Sequence, residues 1–372
     1  MTIEEIEARI KQIEDEINIL GTSEQGKKIL INASYGFISS SYSSLANSNL
    51  GSAITSYGRF NIKAMTKKVI EEIGGDVYCS LQDTDSFHLA LGSTIPKEVT
   101  DPFERTKLIY NYTTENISPI IVNYSKEISS MFNGNGLLEM DFEAIARKTL
   151  VTGKKRYACE LYYDDKFLDK MKKKVIGIEI KRSSTPDNVK KALDRLLDLI
   201  FEGDNVLVSS FIKKYRKLHP YVDINKIAIP TSVSNMEKYY NDKKGKNRRE
   251  QFIPKGAIAS AKAVHLHNIL IDENEELIGF EHILTGNKLK MVPLLHHIDA
   301  NFGNTVLAFK EWTFLRETGI RTQKIYEKGT KIEDMIDYTE LFNKTFLKPA
   351  TSLLDSIGWV VDTDELRRKG LF

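Results

Sequence analysis

The stretch VYCSLQDTDSFHLAL, Val77–Leu91, alternates apolar and polar residues twice over. Val77, Cys79 and Leu81 alternate with Tyr78 and Ser80, and Phe87, Leu89 and Leu91 repeat the pattern on the return. A period of two over two short runs, broken by a polar cluster, predicts a β-hairpin. Its tip is Gln82-Asp83-Thr84-Asp85-Ser86. Asp83 and Asp85 stand two residues apart, and carboxylates so close repel one another unless a cation neutralises them. Hard oxygen donors of this kind suit Mg²⁺ or Mn²⁺, and paired strands give such a site a rigid base. The same residues also suit an ordinary polar turn, since Asp and Ser favour turns.

Two other stretches add to this one. Upstream, Lys28, Asn32 and Tyr35 fall at i, i+4 and i+7 of a predicted helix and share one face. An ammonium, an amide and a phenol on one stripe suit a phosphate-bearing nucleotide, although a solvated helix face reads the same way. Downstream, Thr152-Gly153-Lys154-Lys155-Arg156-Tyr157 leads into a predicted strand. Three cations around extended backbone suit a sugar-phosphate track, or a charged strand end in water.

In this order and at these spacings the three stretches resemble the motifs of the family B DNA polymerases. The K-x3-N-S-x-Y-G motif is similar to Lys28, Asn32, Ala33, Tyr35 and Gly36; D-T-D-S to Asp83-Thr84-Asp85-Ser86; and K-K-R-Y to Lys154-Lys155-Arg156-Tyr157. The replicative polymerases of T-even-like phages look closest. In them Met140–Ile145, Gly177-Ile178-Glu179, Ser183–Pro186 and the segment Asp337–Pro349 also have counterparts. Inside the motifs, Ala33 replaces a usual Ser, and Leu81-Gln82 stand where Tyr or Gly often precede the Asp pair.

The resemblance implies an α+β fold: a fingers remnant at 1–38, a palm with a mainly antiparallel sheet at 39–178, and a largely helical thumb with a C-terminal tail at 179–372. It implies template-directed DNA synthesis with two Mg²⁺ ions (Mn²⁺ in substitution), primer-template DNA and dNTPs. Asp83 and Asp85 become the metal ligands and Glu143 an auxiliary carboxylate. Lys28, Asn32 and Tyr35 become the nucleotide pocket, and Lys154, Lys155, Arg156, Tyr157, Lys181 and Arg182 the DNA grip. The family's D-x2-S-L-Y-P motif, which supplies a further metal-binding Asp, is not found in the sequence. The expectation is therefore one half of a divided polymerase, completed by an N-terminal polymerase/exonuclease chain. A relic used as a DNA-binding scaffold is the alternative, but a scaffold would need none of Asp83, Asp85 and Lys28. Gly370-Leu371-Phe372 resembles a shortened sliding-clamp tail.

The remaining readings concern the whole chain. Its 372 residues, 41% hydrophobic and 28% charged, describe a globular protein of two or three domains. No apolar run approaches the ~18 residues of a membrane span. Cys79 and Cys159 form no disulfide framework, so a cytoplasmic location is expected. Net charge is only +2, yet Arg147–Lys191 holds 14 Lys/Arg against 6 Asp/Glu, a local excess that matters more for nucleic acid than the total. His265-x-His267 and His296-His297 lack a Cys or carboxylate to complete a zinc set. Thr2 and Glu5 form a capping box. Ile3, Ile6, Ile10, Ile13, Ile17 and Leu20 follow at alternating spacings of three and four, the seam of a helix that pairs with one other helix. Gly21 and Gly26 are read as its end, and a second helix as running from Gln25 to Phe37. A loop is expected over 39–52, helices over 53–73, 102–132 and from Pro186 to Phe201, and strands over 137–145, 157–163 and 175–180. A loop is expected at 147–152 and a mobile charged loop at 242–250.

Overall fold

The computed structural model describes residues 2–136, 138–297, 305–317 and 331–360. The clamp-like tail expected at Gly370–Phe372 lies outside them. The fold is α+β: among the described residues helices dominate, and the strands form three small antiparallel sheets of two, three and three strands. The chain divides into two compact units, residues 1–145 with 163–166, and residues 146–162 with 167–372.

The first unit opens with α1, Ile3–Ser39, a single helix of 37 residues. Its capping box forms as the sequence predicts: the Glu5 amide donates to Thr2 Oγ1 and the Thr2 amide to Glu5 Oε2. Gly21 and Gly26 do not end it. An interior glycine costs only about 1 kcal/mol against alanine, and neither residue takes the positive φ of a terminating cap. No residue of α1 is buried. Ile3, Ile10 and Leu20 are 76%, 52% and 69% exposed, so the predicted seam faces solvent along its length.

Helix α2, Ser48–Ile73, starts five residues before the sequence reading placed it, because Asn47 caps it by accepting from the Leu50 amide. Met65 and Val69 on α2 build the unit's small core with Ile117 and Ile128. Strands β1 (Tyr78–Asp83) and β2 (Ser86–Ala90) form the predicted antiparallel hairpin, and Phe87 and Leu89 pack on that core. Helices α3, Pro102–Tyr112, and α4, Ser118–Met131, are joined by one π-helical turn and fill the predicted 102–132 region.

In the second unit, β3 (Ala144–Gly153, from residue 146 onward), β4 (Arg156–Asp164, up to residue 162) and β5 (Phe167–Ile176) form a sheet in that order. Two predictions fail here. The described part of 137–143 makes no strand ladder, and the expected 147–152 loop is strand. Arg147 and Lys148 read as loop residues, but their partners lie far along the chain: Arg147 pairs with buried Glu160, and Lys148 donates to the Phe201 carbonyl. The strand expected at 175–180 begins earlier and stops at Gly177, whose φ of +64° turns the chain into a 3-10 turn at Glu179–Lys181.

Helices α5, Asp187–Glu202, and α6, Asn205–Leu218, then pack their apolar faces on this sheet, with Leu193, Leu196, Leu197 and Ile212 fully buried. After the short α7, Ile224–Ile227, β6 (Ile229–Ser232) starts a further sheet. The expected charged loop is ordered by hydrogen bonds. In it α8, Arg248–Gln251, pairs Arg248 with Asp272 and Arg249 with Glu273 of α9, Ala259–Glu273. Helix α9 is buried along most of its length beside β7 (Lys288–Pro293) and β8 (Val306–Phe309), which complete that sheet. His265 stacks on Phe252 at 3.9 Å and His267 packs against Phe314, both within this core. Short helices α10, Thr313–Glu317, α11, Tyr338–Phe342, and α12, Lys348–Asp355, are the last described helices of the unit.

Candidate active site and nucleic-acid interface

At the tip of the β1–β2 hairpin, Asp83 faces Ser86 across the ladder and Thr84-Asp85 form the loop. The Asp85 amide donates to the Asp83 carbonyl at 2.7 Å, closing a three-residue turn around Thr84. Thr84 sits at φ +55°. A β-branched residue at positive φ is an outlier, and such strain costs on the order of 1–3 kcal/mol where the surroundings enforce it. Here the surroundings are explicit. The Thr84 hydroxyl donates to Asp83 Oδ1 at 3.1 Å and the Ser86 hydroxyl to the Asp83 carbonyl at 3.2 Å. Behind the tip, Gln82 Nε2 donates to Thr66 Oγ1 of α2 at 2.7 Å, and that hydroxyl donates to the Ile62 carbonyl. Gln82, an unusual residue at this point of the motif, therefore anchors the hairpin to α2.

Asp83 is half-buried and Asp85 exposed. Two oxygen-donor side chains on a fixed turn suit a hard divalent cation, whose other positions water and phosphate oxygens can fill. Among the described residues, no three His, Cys, Asp or Glu side chains converge as a metal-holding group. The hairpin tip thus sets two carboxylate side chains two residues apart on one turn. Glu143, exposed on the extended segment before β3, accepts the Asp165 amide through its carbonyl.

Lys28, Asn32 and Tyr35 all lie exposed on one side of α1. Lys28 pairs with Glu24 one turn earlier at 2.7 Å, and this hydrogen bond raises the lysine and lowers the glutamate from their ordinary pKa values. Both partners are about two-thirds exposed, so the pair is easily exchanged for another anion. Glu24 stands at i, i+4 spacing from Lys28, a pairing that the sequence itself carries.

In the second unit, Lys154 and Lys155 form the two-residue turn between β3 and β4 and are exposed. Lys155 adopts φ +58°. Arg156 Nη2 reaches both oxygens of Glu179 at 2.8 Å, Arg182 Nη1 lies 3.5 Å from the same carboxylate, and Tyr157 is buried. Lys181 is exposed beside them. Glu179 is the anion that these two guanidinium groups share.

The family description "DNA polymerase family B" matches residues 4–259, which contain all three of these clusters. The chain belongs to DNA polymerase family B. It is 26% identical to a DNA-directed DNA polymerase of Enterobacteria phage T4 over 94% of its length, and 26% identical to that of Escherichia phage RB69 over 88%. A protein named DNA polymerase beta from African swine fever virus is 22% identical over 64% of the chain. This family B chain spans 38% of the T4 protein and 36% of the RB69 protein. No described helix is long and apolar enough to cross a membrane.

Proposed function

We propose that this chain is the catalytic C-terminal part of a DNA-directed DNA polymerase, working with a second chain that supplies a further carboxylate. The observation that carries this is the strained Asp83-Thr84-Asp85 turn within a region that matches a polymerase family. The reaction is attack of the primer 3′-oxygen on the α-phosphate of a dNTP, with pyrophosphate leaving. Asp83 and Asp85 hold Mg²⁺ or Mn²⁺, which when bound supplies charge stabilisation for the attacking and leaving oxygens. Glu143 is an auxiliary carboxylate. Lys28 exchanges Glu24 for the triphosphate, while Asn32 and Tyr35 line the nascent base-pair pocket. Lys154, Lys155, Lys181 and Arg182 meet the sugar-phosphate backbone, and Arg156 and Tyr157 complete the grip from β4.

We assign 1–38 to the fingers, 39–178 to the palm and 179–372 to the thumb. One feature favours a partner chain: a 37-residue helix with an apolar seam and no buried residue. A sliding clamp meeting the C-terminal tail belongs to the same proposal. The test is primer extension with the purified chain, alone and mixed with an upstream phage-polymerase segment that carries the D-x2-S-L-Y-P motif. The expected result is primer-template binding alone and extension only in the mixture. Failure to bind DNA in either case would overturn the assignment.

A further inference from the structure

The basic turn Lys154-Lys155 does not hold its shape alone. Lys155 lies in the left-handed region at φ +58° without being glycine. Packed against it is Gly177, itself at φ +64°. A Cβ built on Gly177 would fall inside the van der Waals envelope of the Lys155 carbonyl oxygen and would crowd the Arg156 side chain. Only glycine lets the end of β5 approach this closely. Two residues on, Glu179 takes both of its oxygens to Arg156 Nη2 at 2.8 Å and also meets Arg182. A carboxylate held by two guanidinium groups, only 17% exposed, is a fixed point. Such charge-assisted contacts are stronger than neutral ones.

We infer that Gly177 and Glu179 are positioning residues for the nucleic-acid grip: they brace the Lys154-Lys155 turn through its carbonyl and through Arg156, so that the two ammonium groups meet consecutive backbone phosphates. Arg156 then acts through Glu179 and holds the turn rather than the phosphate. This rests on the reading of Lys154 and Lys155 as backbone contacts. Electrostatics alone makes the opposite prediction for Glu179. Deleting a negative charge beside a polyanion should tighten binding, whereas deleting a brace should loosen it.

The experiment titrates a fixed primer-template duplex into the full chain from 50 to 200 mM salt. Lys154→Ala with Lys155→Ala should flatten the salt slope by about 1.8, two contacts at ~0.9 each, which is about 12-fold less affinity lost over that fourfold rise. Gly177→Ala should give a similar flattening. Glu179→Gln should weaken binding several-fold, and Glu179→Asp should restore part of it. Tight or tighter binding by Glu179→Gln, with the lysine variant flattened, would overturn the brace and leave the grip intact. An unchanged slope in the lysine variant would overturn the grip itself. If Gly177→Ala does not fold, the two Glu179 variants decide.

Discussion

His219 is fully buried beside Tyr215 and Phe342, and among the described residues neither of its ring nitrogens has a hydrogen-bond partner. Burial holds its pKa down to about 4, against 6.5 for the free side chain. The folded protein therefore keeps this imidazole neutral at pH values where the unfolded chain protonates it. Between those two values the unfolded state binds more protons, so stability falls as pH drops through the window. From this one group the loss is about 2 kcal/mol at pH 5 and about 3 kcal/mol at pH 4, relative to neutral pH. His219→Leu removes the titrating group from the same core, so its stability should fall less with acid by that amount. The absolute stability of the variant does not matter, because the comparison is of pH slopes. Urea unfolding at pH 7.5, 6, 5 and 4, followed by helix signal, measures it for both proteins. Parallel stability-versus-pH curves for wild type and His219→Leu would show that His219 is not a source of the acid sensitivity.

Three other outcomes follow from particular contacts. The six seam residues of α1 are on average a little over half exposed. Covering them with one helix should yield on the order of 5–10 kcal/mol of gross transfer energy, much of it offset by association and ordering costs. Ile10→Asp with Ile13→Asp should then weaken a 1:1 complex with the partner segment in sedimentation, whereas a tight homodimer that ignores the partner would contradict the proposed assembly. Gln82→Ala should cost about 0.5–1.5 kcal/mol in unfolding free energy by cutting the hairpin's bond to Thr66, and hydrogen exchange at the β1–β2 tip should rise; an unchanged tip would show that Gln82 is not the anchor. In the assembled enzyme, Lys28→Ala should raise the apparent KM for dNTP far more than it lowers kcat. An unchanged KM would remove Lys28 from the triphosphate.

Local chemistry in the sequence was enough wherever the partner lay nearby. The Val77–Leu91 alternation, the Thr2–Glu5 box and the 3/4 spacing of α1 all reappear as a hairpin, a capped helix and a stripe. It was not enough where the deciding contact came from far along the chain. Arg147 and Lys148 read as a loop because nothing local reveals Glu160 or the Phe201 carbonyl. Gly21 and Gly26 read as stops because a mid-helix glycine and a C-cap glycine look alike until φ is known. Arg248 and Arg249 read as part of a mobile charged loop, and Asp272 and Glu273, more than twenty residues on, hold them. The candidate site divides in the same way. The hairpin aspartates, the α1 stripe and the basic turn were visible as residue types at spacings, while Gly177 and Glu179 gain their meaning only from the turn they meet in space.

Everything proposed for the hairpin turns on its carboxylates acting in nucleotidyl transfer. Single-turnover primer extension by the assembled polymerase with Asp85→Asn, alongside DNA binding by the same variant, is the decisive measurement. A carboxylate that works on the transition state should change the rate and leave ground-state binding alone. The expected result is a loss of several orders of magnitude in extension rate with primer-template affinity unchanged. Extension at the wild-type rate by Asp85→Asn would contradict it.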